Sequence, residues 1–389
     1  MASKKSNGEG SIYVRNRNGR RYYTGQITVG LDAKGNQIRK TVSSFKRSEV
    51  VQKMQDLQFC VDKNLYTPTQ DLRFGEYIYE WLYTTKKLEL APLSFERYES
   101  IYENKLMTDP INRIKLTELS TLHLQKYFNK LIEKKDVTLS SANYIRATLK
   151  TALGDAVKSG LIFRNPVIGV KVKKTEKNTS FNIFSAHEQE MLIDSLDLSD
   201  TVDLVIYVAL STGLRLGEIL ALKWTDFNGK TLDINKQLQY VYESVDEPKK
   251  RVKKLLPLKT EASEAILPVP QKVLAALQKH RLRQAELKLR LGQVYKDEDF
   301  IFADDIGQPI ERKRPGRRLS KICKDLEMPH KTFHSLRHTY CTRLFEAGVP
   351  IKTVQSLMRH SNSATTLDIY THVMPEKKAQ AVELLEKFL

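Results

Sequence analysis

Residues 204–218, LVIYVALSTGLRLGE, run from an apolar stretch straight into a polar turn that carries one arginine and one glutamate. The apolar part, Leu204–Leu210, is far shorter than the ~20 residues a bilayer crossing needs, so it is not a membrane span. Three further stretches follow in the same half of the chain. Pro257-Leu-Lys-Thr-Glu-Ala-Ser-Glu-Ala-Ile-Leu-Pro268 reads as a β-turn flanked by strand. His334-Ser-Leu-Arg-His-Thr339 opens a helix. Leu357-Met-Arg-His360 closes another, and Asp368-Ile-Tyr-Thr-His-Val373 comes after it.

Around these stretches the chain has 389 residues, 41% hydrophobic and 28% charged, which is globular and long enough for two or three domains. Residues 1–20 are polar and lack the apolar core of a signal peptide. The three cysteines, Cys60, Cys323 and Cys341, lie far apart, which excludes a disulfide framework and a CxxC-type metal site. A soluble, cytoplasmic protein of a reducing compartment is expected. The net charge of +18 points to a polyanionic partner, with nucleic acid ahead of an anionic membrane.

That charge is uneven. Residues 1–65 hold 13 Lys+Arg against 5 Asp+Glu. Strand-like segments Ser11–Arg17, Tyr22–Leu31 and Gln37–Ser43 are separated by turn signals at Asn18-Gly19 and Asp32–Gly35. A helical pattern follows over Ser48–Asp62, with Val50, Val51, Met54, Leu57 and either Phe59 or Val61 as its apolar face. The expectation for residues 1–66 is a three-stranded sheet with one helix on one side. The other side would carry Arg15, Arg17, Arg21, Tyr23 and their neighbour Arg20, a basic face suited to a DNA groove. A linker over Tyr66–Asp71 leads to residues 72–170, whose 3.6-residue periodicity predicts a compact four-helix domain ended by Gly160 and Asn165-Pro166. The basic segment Lys171–Lys177, with Lys171, Lys173 and Lys174, reads as an unpacked second linker. Residues 178–389 form a mostly helical third domain with a strand-rich insert near Lys230–Val269. The fold class is therefore multidomain, mainly α with small β-sheets.

Common machinery is missing. There is no GxxxxGK phosphate loop, no HExxH and no GxSxG elbow. His334 and His338 are spaced to share a metal but have no third ligand nearby. The joint order of TGLRxxE, HxLRHT and DIYTH resembles the tyrosine recombinase (phage integrase) family, most closely the integrases of temperate phages and conjugative transposons of Gram-positive bacteria. The resemblance spans nearly the whole chain. It implies an arm-type DNA-binding domain, a helical SAM-like core-binding domain and a mixed α/β catalytic domain. An HxxR pair also occurs at His280–Arg283 with no other family feature around it.

The resemblance implies a role for each matching residue. Tyr370 is the nucleophile that becomes a covalent phosphoryl carrier. Arg215 and Arg337 hold the nonbridging phosphate oxygens, which guanidinium forks bind bidentately. His334 hydrogen-bonds the phosphate or manages the tyrosine proton. Lys259, on the β-hairpin, protonates the leaving 5′-oxygen, with Lys253 and Lys254 close by in sequence and Ala265 where the family often has arginine. His360 donates to the phosphate. Glu218 orients its neighbours. The family's usual glycine before the second histidine is Arg359 here, a departure expected to alter the approach of that helix end. No metal and no cofactor are implied. The implied partners are double-stranded core and arm attachment sites, a homotetramer on DNA, an excisionase and a host DNA-bending protein. A C-terminal helix, Glu376–Leu389, either caps its own domain or docks on a neighbouring protomer. A type IB topoisomerase-like enzyme and an Xer-like resolvase share the chemistry and remain open, as does a non-catalytic DNA-binding regulator.

Overall fold

The structure, a computed structural model, describes residues 11–17, 20–31, 37–62, 72–173, 182–242, 251–258, 264–359, 366–367 and 369. The chain divides into two compact units, Met1–Glu176 and Lys177–Leu389.

The first unit opens with an antiparallel sheet of β1 (Ser11–Arg17), β2 (Arg20–Leu31) and β3 (Gln37–Ser44), in that spatial order. Helix α1 (Arg47–Asp62) lies on it, burying Leu57 against Ile27 and Val29, and Val50 and Met54 over Gly25. The approach is close enough that a Cβ on Gly25 would sit 2.2 Å from the Met54 sulfur and 2.9 Å from Val50 Cγ1, so a larger residue would force these side chains to shift. Val61 continues the apolar face, whereas Phe59 is 59% exposed, because it lies two residues, or about 200°, away from Leu57 on the helix.

The register corrects one expectation about this sheet. Arg15 pairs with Tyr22, and Tyr13 with Thr24, whose hydroxyl accepts from Ser43. Arg21 and Tyr23 belong to the other set, shared with Gly25, Ile27 and Val29 on the helix side. Side chains alternate with period two, so Arg15 and Arg21 cannot share a face as the sequence suggested. Arg39, paired with Thr28, joins the Arg15 face. Arg17 and Arg20 face each other in the register; their side chains lie outside the description.

The helical body comprises α2 (Phe74–Glu80), which passes through a π-helical segment, Trp81–Lys86, into α3 (Lys87–Glu89). Then come α4 (Pro92–Ile101), α5 (Thr121–Glu133) and α6 (Leu139–Lys158). Pro92 sits in the first turn of α4, where its missing N–H is harmless. Ser120 and Thr138 cap α5 and α6. Phe74, Leu82, Leu124, Phe128, Leu149 and Leu153 fill the centre. Tyr77 donates to the Ala152 carbonyl at 2.6 Å and Trp81 to Asp155 at 3.0 Å, which fixes the first helix on α6.

The start of the second linker departs from expectation. The Lys171 N–H and carbonyl are both bonded by the Gln125 amide, at 2.8 and 2.9 Å. Asn143 donates to the Lys173 carbonyl at 3.0 Å. The backbone up to Lys173 is thus held on the helical body, while the Lys171 and Lys173 side chains stay exposed. Two side-chain amides supply bonds that sequence patterning does not register.

The second unit is built on α8 (Thr201–Thr212), preceded by α7 (Ala186–Asp194). Asp200 caps α8, and nearly all of its residues are buried. The short α9 (Leu216–Ile219) leads to β4 (Thr231–Ile234), β5 (Lys236–Tyr242), β6 (Arg251–Pro257) and β7 (Ala265–Pro268). These pair as two antiparallel ribbons, β4 with β7 and β5 with β6. Helices α10 (Gln271–Leu291), α11 (Lys313–Asp325), α12 (Phe333–Glu346) and α13 (Ile351–Met358) complete the unit. The His280–Arg283 pair is structural: the buried His280 ring bonds the Ile301 carbonyl at 2.7 Å, and Arg283 donates to the Leu198 carbonyl at 2.6 Å. No helix among the described residues is long and apolar enough to cross a membrane.

Candidate active site

The site grows from the C-terminal end of α8. Gly213 ends that helix in the left-handed conformation (φ 65°), and a Cβ there would meet the Tyr340 ring at 2.4 Å. Both constraints demand glycine. Gly213→Ala should therefore lower the unfolding free energy by about 2 kcal/mol or more, visible as a fall in thermal midpoint; an unshifted midpoint would refute the packing.

After this turn Arg215 takes an extended conformation and caps α9. Glu218 reaches back to it, accepting from the Arg215 backbone N–H at 2.9 Å and from Nη1 at 2.7 Å. Glu218 is 3% exposed. Burial alone would raise its pKa, but Arg359 and Arg215 outweigh burial and hold it below the usual carboxylate value.

Helix α12 contributes His334 and Arg337, one turn apart. Arg337 is 2% exposed and donates to the Gly213 carbonyl at 2.5 Å and to the Met358 carbonyl. It thereby pins together the ends of α8 and α13. Burial, and then the charge of Arg215, push its pKa down to about 9, which leaves it protonated at neutral pH. Burial also lowers the His334 pKa, helped by Arg337 and Arg215, which favours the neutral imidazole. His338 packs edge-on against the His334 ring at 4.5 Å. Among the described residues no cluster of His, Cys, Asp and Glu is able to hold a metal ion.

Helix α13 ends at Arg359 in the left-handed conformation, and Arg359 Nη2 donates to Glu218 at 2.6 Å. The result is a cleft of about 320 Å³ lined by Arg215, Glu218, Gln237, Arg312, His334 and Arg337, among others. Of the sequence-derived set, Arg215, Glu218, His334 and Arg337 are thus brought to one place. Lys259, His360, Tyr370 and Lys174 lie outside the described residues, as does the C-terminal helix expected over Glu376–Leu389. Ile369, the residue before Tyr370, is fully buried in a small core with Cys341, Phe345, Val354 and Met358. Lys253, a neighbour of Lys259 in sequence, is taken up by the Pro309 carbonyl at 3.0 Å.

Two residues lining the cleft escaped the sequence reading, and a third, Arg359, reads there only as a departure from the family pattern. Gln237 and Arg312 line it, and Arg359 buttresses Glu218. Arg312 precedes a cation-rich helix in which Lys313, Arg314, Arg317 and Lys321 are exposed, while Arg318 forms a bidentate pair with the buried Asp203 at 2.7 Å. The spacing of those cations in KRPGRRLSK was the available signal.

An arrangement of two arginines and a histidine around one cleft suits a phosphodiester, because the cations match charge on the nonbridging oxygens. Comparison with known proteins agrees. Residues 182–377 match the phage integrase family. The chain belongs to that family. Residues 73–132 of this integrase also match the family's N-terminal SAM-like domain. A tyrosine recombinase XerC-like protein of Caldanaerobacter subterraneus subsp. tengcongensis is 33% identical over 96% of this chain and 97% of its own length. The ICEBs1 integrase of Bacillus subtilis is 27% identical over 67% of this chain and 69% of its own. In fold, the integrase is similar to the Tn1549 transposon integrase in complex with transposon right-end DNA, at TM-score 0.67 and 18% identity, covering 81% of this chain and 99% of that one. It also resembles a lambda integrase tetramer bound to a Holliday junction, at TM-score 0.53 and 20% identity, covering 90% and 96%. The integrase is thus a tyrosine recombinase, a DNA breaking and rejoining enzyme of site-specific recombination.

Proposed function

We propose that this recombinase integrates and excises a mobile genetic element through a 3′-phosphotyrosine intermediate. The convergence of Arg215, Glu218, His334 and Arg337 on one cleft carries this reading. The Tyr370 oxygen attacks the scissile phosphorus, and the bond to the 5′-oxygen breaks. Lys259 protonates that oxygen, and the 5′-hydroxyl then attacks the phosphotyrosine of the partner duplex, breaking that ester and releasing its tyrosine. Arg215 and Arg337 bind the nonbridging oxygens, His360 donates to them, and His334 bonds the phosphate or receives the tyrosine proton. The phosphotyrosine conserves the energy of the broken bond, so the step needs neither metal nor ATP. Trapping the full-length protein on nicked duplexes that tile the ends of the element carrying its gene, then mapping the attached peptide, tests the reading. An adduct on a residue other than Tyr370 would sink it.

Three bodies divide the DNA contacts in this reading: residues 1–66 on arm sites, 72–170 on the core site and 178–389 on the scissile phosphate. The proposed assembly is a homotetramer on DNA, with an excisionase and a host DNA-bending protein as accessory partners. On the sheet, Arg15 and Arg39 present cations on the side away from α1, with Arg17 and Arg20 at the turn end and Arg21 and Tyr23 on the opposite side. The exposed Lys171 and Lys173 side chains, on a backbone already held in place, suit phosphate contacts. Deleting residues 1–65 should spare cleavage of an isolated core site and weaken integration on full attachment DNA, where arm and core binding reinforce each other. Equal integration by the truncated and full chains would refute the arm-binding role and favour resolvase-like or topoisomerase-like action.

A further inference from the structure

Arg359 stands where the family resemblance leads one to expect glycine, and its backbone keeps the left-handed conformation that glycine favours, at φ 52°. The side chain is nonetheless 2% exposed. A strained, buried arginine persists only when its surroundings compensate it. Among the described residues its hydrogen-bonded compensation is Glu218: Nη2 donates at 2.6 Å, while Nε and Nη1 are buried without a hydrogen-bond partner there.

Glu218 in turn holds Arg215. One oxygen, Oε1, takes Arg215 Nη1; the other, Oε2, takes the Arg215 backbone N–H and the Arg359 guanidinium. A carboxylate and a guanidinium left to themselves favour a bidentate pair that uses both oxygens and two nitrogens. Arg359 occupies the second oxygen and prevents this. Arg215, with its side chain 40% exposed at the cleft, gives Glu218 one side-chain nitrogen. Nε and Nη2 of Arg215 have no hydrogen-bond partner among the described residues.

We propose that Arg359 is a positioning residue: by occupying Glu218 it keeps the Arg215 fork open for the scissile phosphate. This role rests on the phosphotyrosine reading. Without Arg359, a buried carboxylate with one remaining cation draws Arg215 into a closed pair, and the phosphate loses part of its clamp. With Arg359, two guanidinium groups share the Glu218 carboxylate, Arg337 lines the same cleft, and the surplus positive charge is left for an anion.

The test is a double-mutant cycle on the single-turnover rate of adduct formation by the full-length protein on the nicked duplexes. Arg359→Gly installs the residue the family usually carries, so the variant is compatible with the fold. It should slow adduct formation by about tenfold or more without changing affinity for the duplex. In a Glu218→Gln background the same change should cost less than about threefold, because no carboxylate charge remains to capture Arg215. Equal losses in both backgrounds would overturn the proposal, since Arg359 would then act independently of Glu218. So would an unchanged rate in the single variant, which would leave Arg359 a structural residue. A wild-type chain that forms no adduct would overturn the phosphotyrosine reading itself, and this role with it.

Discussion

Tyr370→Phe is expected to abolish the covalent protein–DNA adduct while leaving DNA binding intact. The substitution removes one oxygen and keeps the ring. The adduct is an ester of that oxygen, so no amount of correct phosphate binding restores it. Binding depends on other groups, mainly cations on phosphates, and should show the same retention in a gel-shift assay. The chain has 17 tyrosines, so the control matters. Tyr340 is the sharpest competitor, because its ring packs on Gly213 beside the arginine cluster. Burial raises its pKa, which disfavours a phenolate there. Tyr340→Phe should leave the adduct in place. Persistence of the adduct in Tyr370→Phe, or its loss only in Tyr340→Phe, would move the nucleophile.

Arg337 substitutions are expected to separate two functions that one side chain combines. Two of its five N–H donors hold the carbonyls of Gly213 and Met358, and the other three make no hydrogen bond among the described residues. Arg337→Ala orphans two carbonyls at the junction of α8 and α13. At roughly 1–3 kcal/mol for each unsatisfied buried group, the unit should lose about 3 kcal/mol of stability. Arg337→Lys keeps a positive charge but not the planar fork, so it cannot reach both carbonyls and grip a phosphate together. Its cleavage rate should drop by about 10²–10³, the cost of losing one preorganised donor to a developing charge. Thermal unfolding measured beside single-turnover cleavage distinguishes the two effects. A lysine variant that cleaves at the wild-type rate would show that Arg337 is a structural strut alone.

The elements themselves were largely legible. The three strands of the first sheet, its helix and the four helices after it lie within a few residues of where periodicity and turn chemistry put them, because those signals are local. The positions of Arg215, His334 and Arg337 within their elements have the same local origin. Arg215 follows Gly213 because a helix must end in a left-handed turn before the arginine can extend, and His334 and Arg337 share a face because they are one helical turn apart.

Other features had no local signature. The sequence grouped Arg15 with Arg21 and Tyr23, but alternation needs a fixed register, and the register comes from pairing with a second strand. The Lys171–Lys173 backbone looked like free linker because its partners, Gln125 and Asn143, are some thirty or more residues away. The same distance effect governs the active site. Motif order named Arg337 as a phosphate ligand, yet its hold on Gly213 crosses 124 positions of sequence. Arg359 read only as a departure from a family pattern until folding carried it to Glu218, 141 positions away. Residue types and helical phase follow from neighbours along the chain. Which buried charge leans on which follows from neighbours in space, where exclusion of water makes one ion pair strong enough to set the posture of the next.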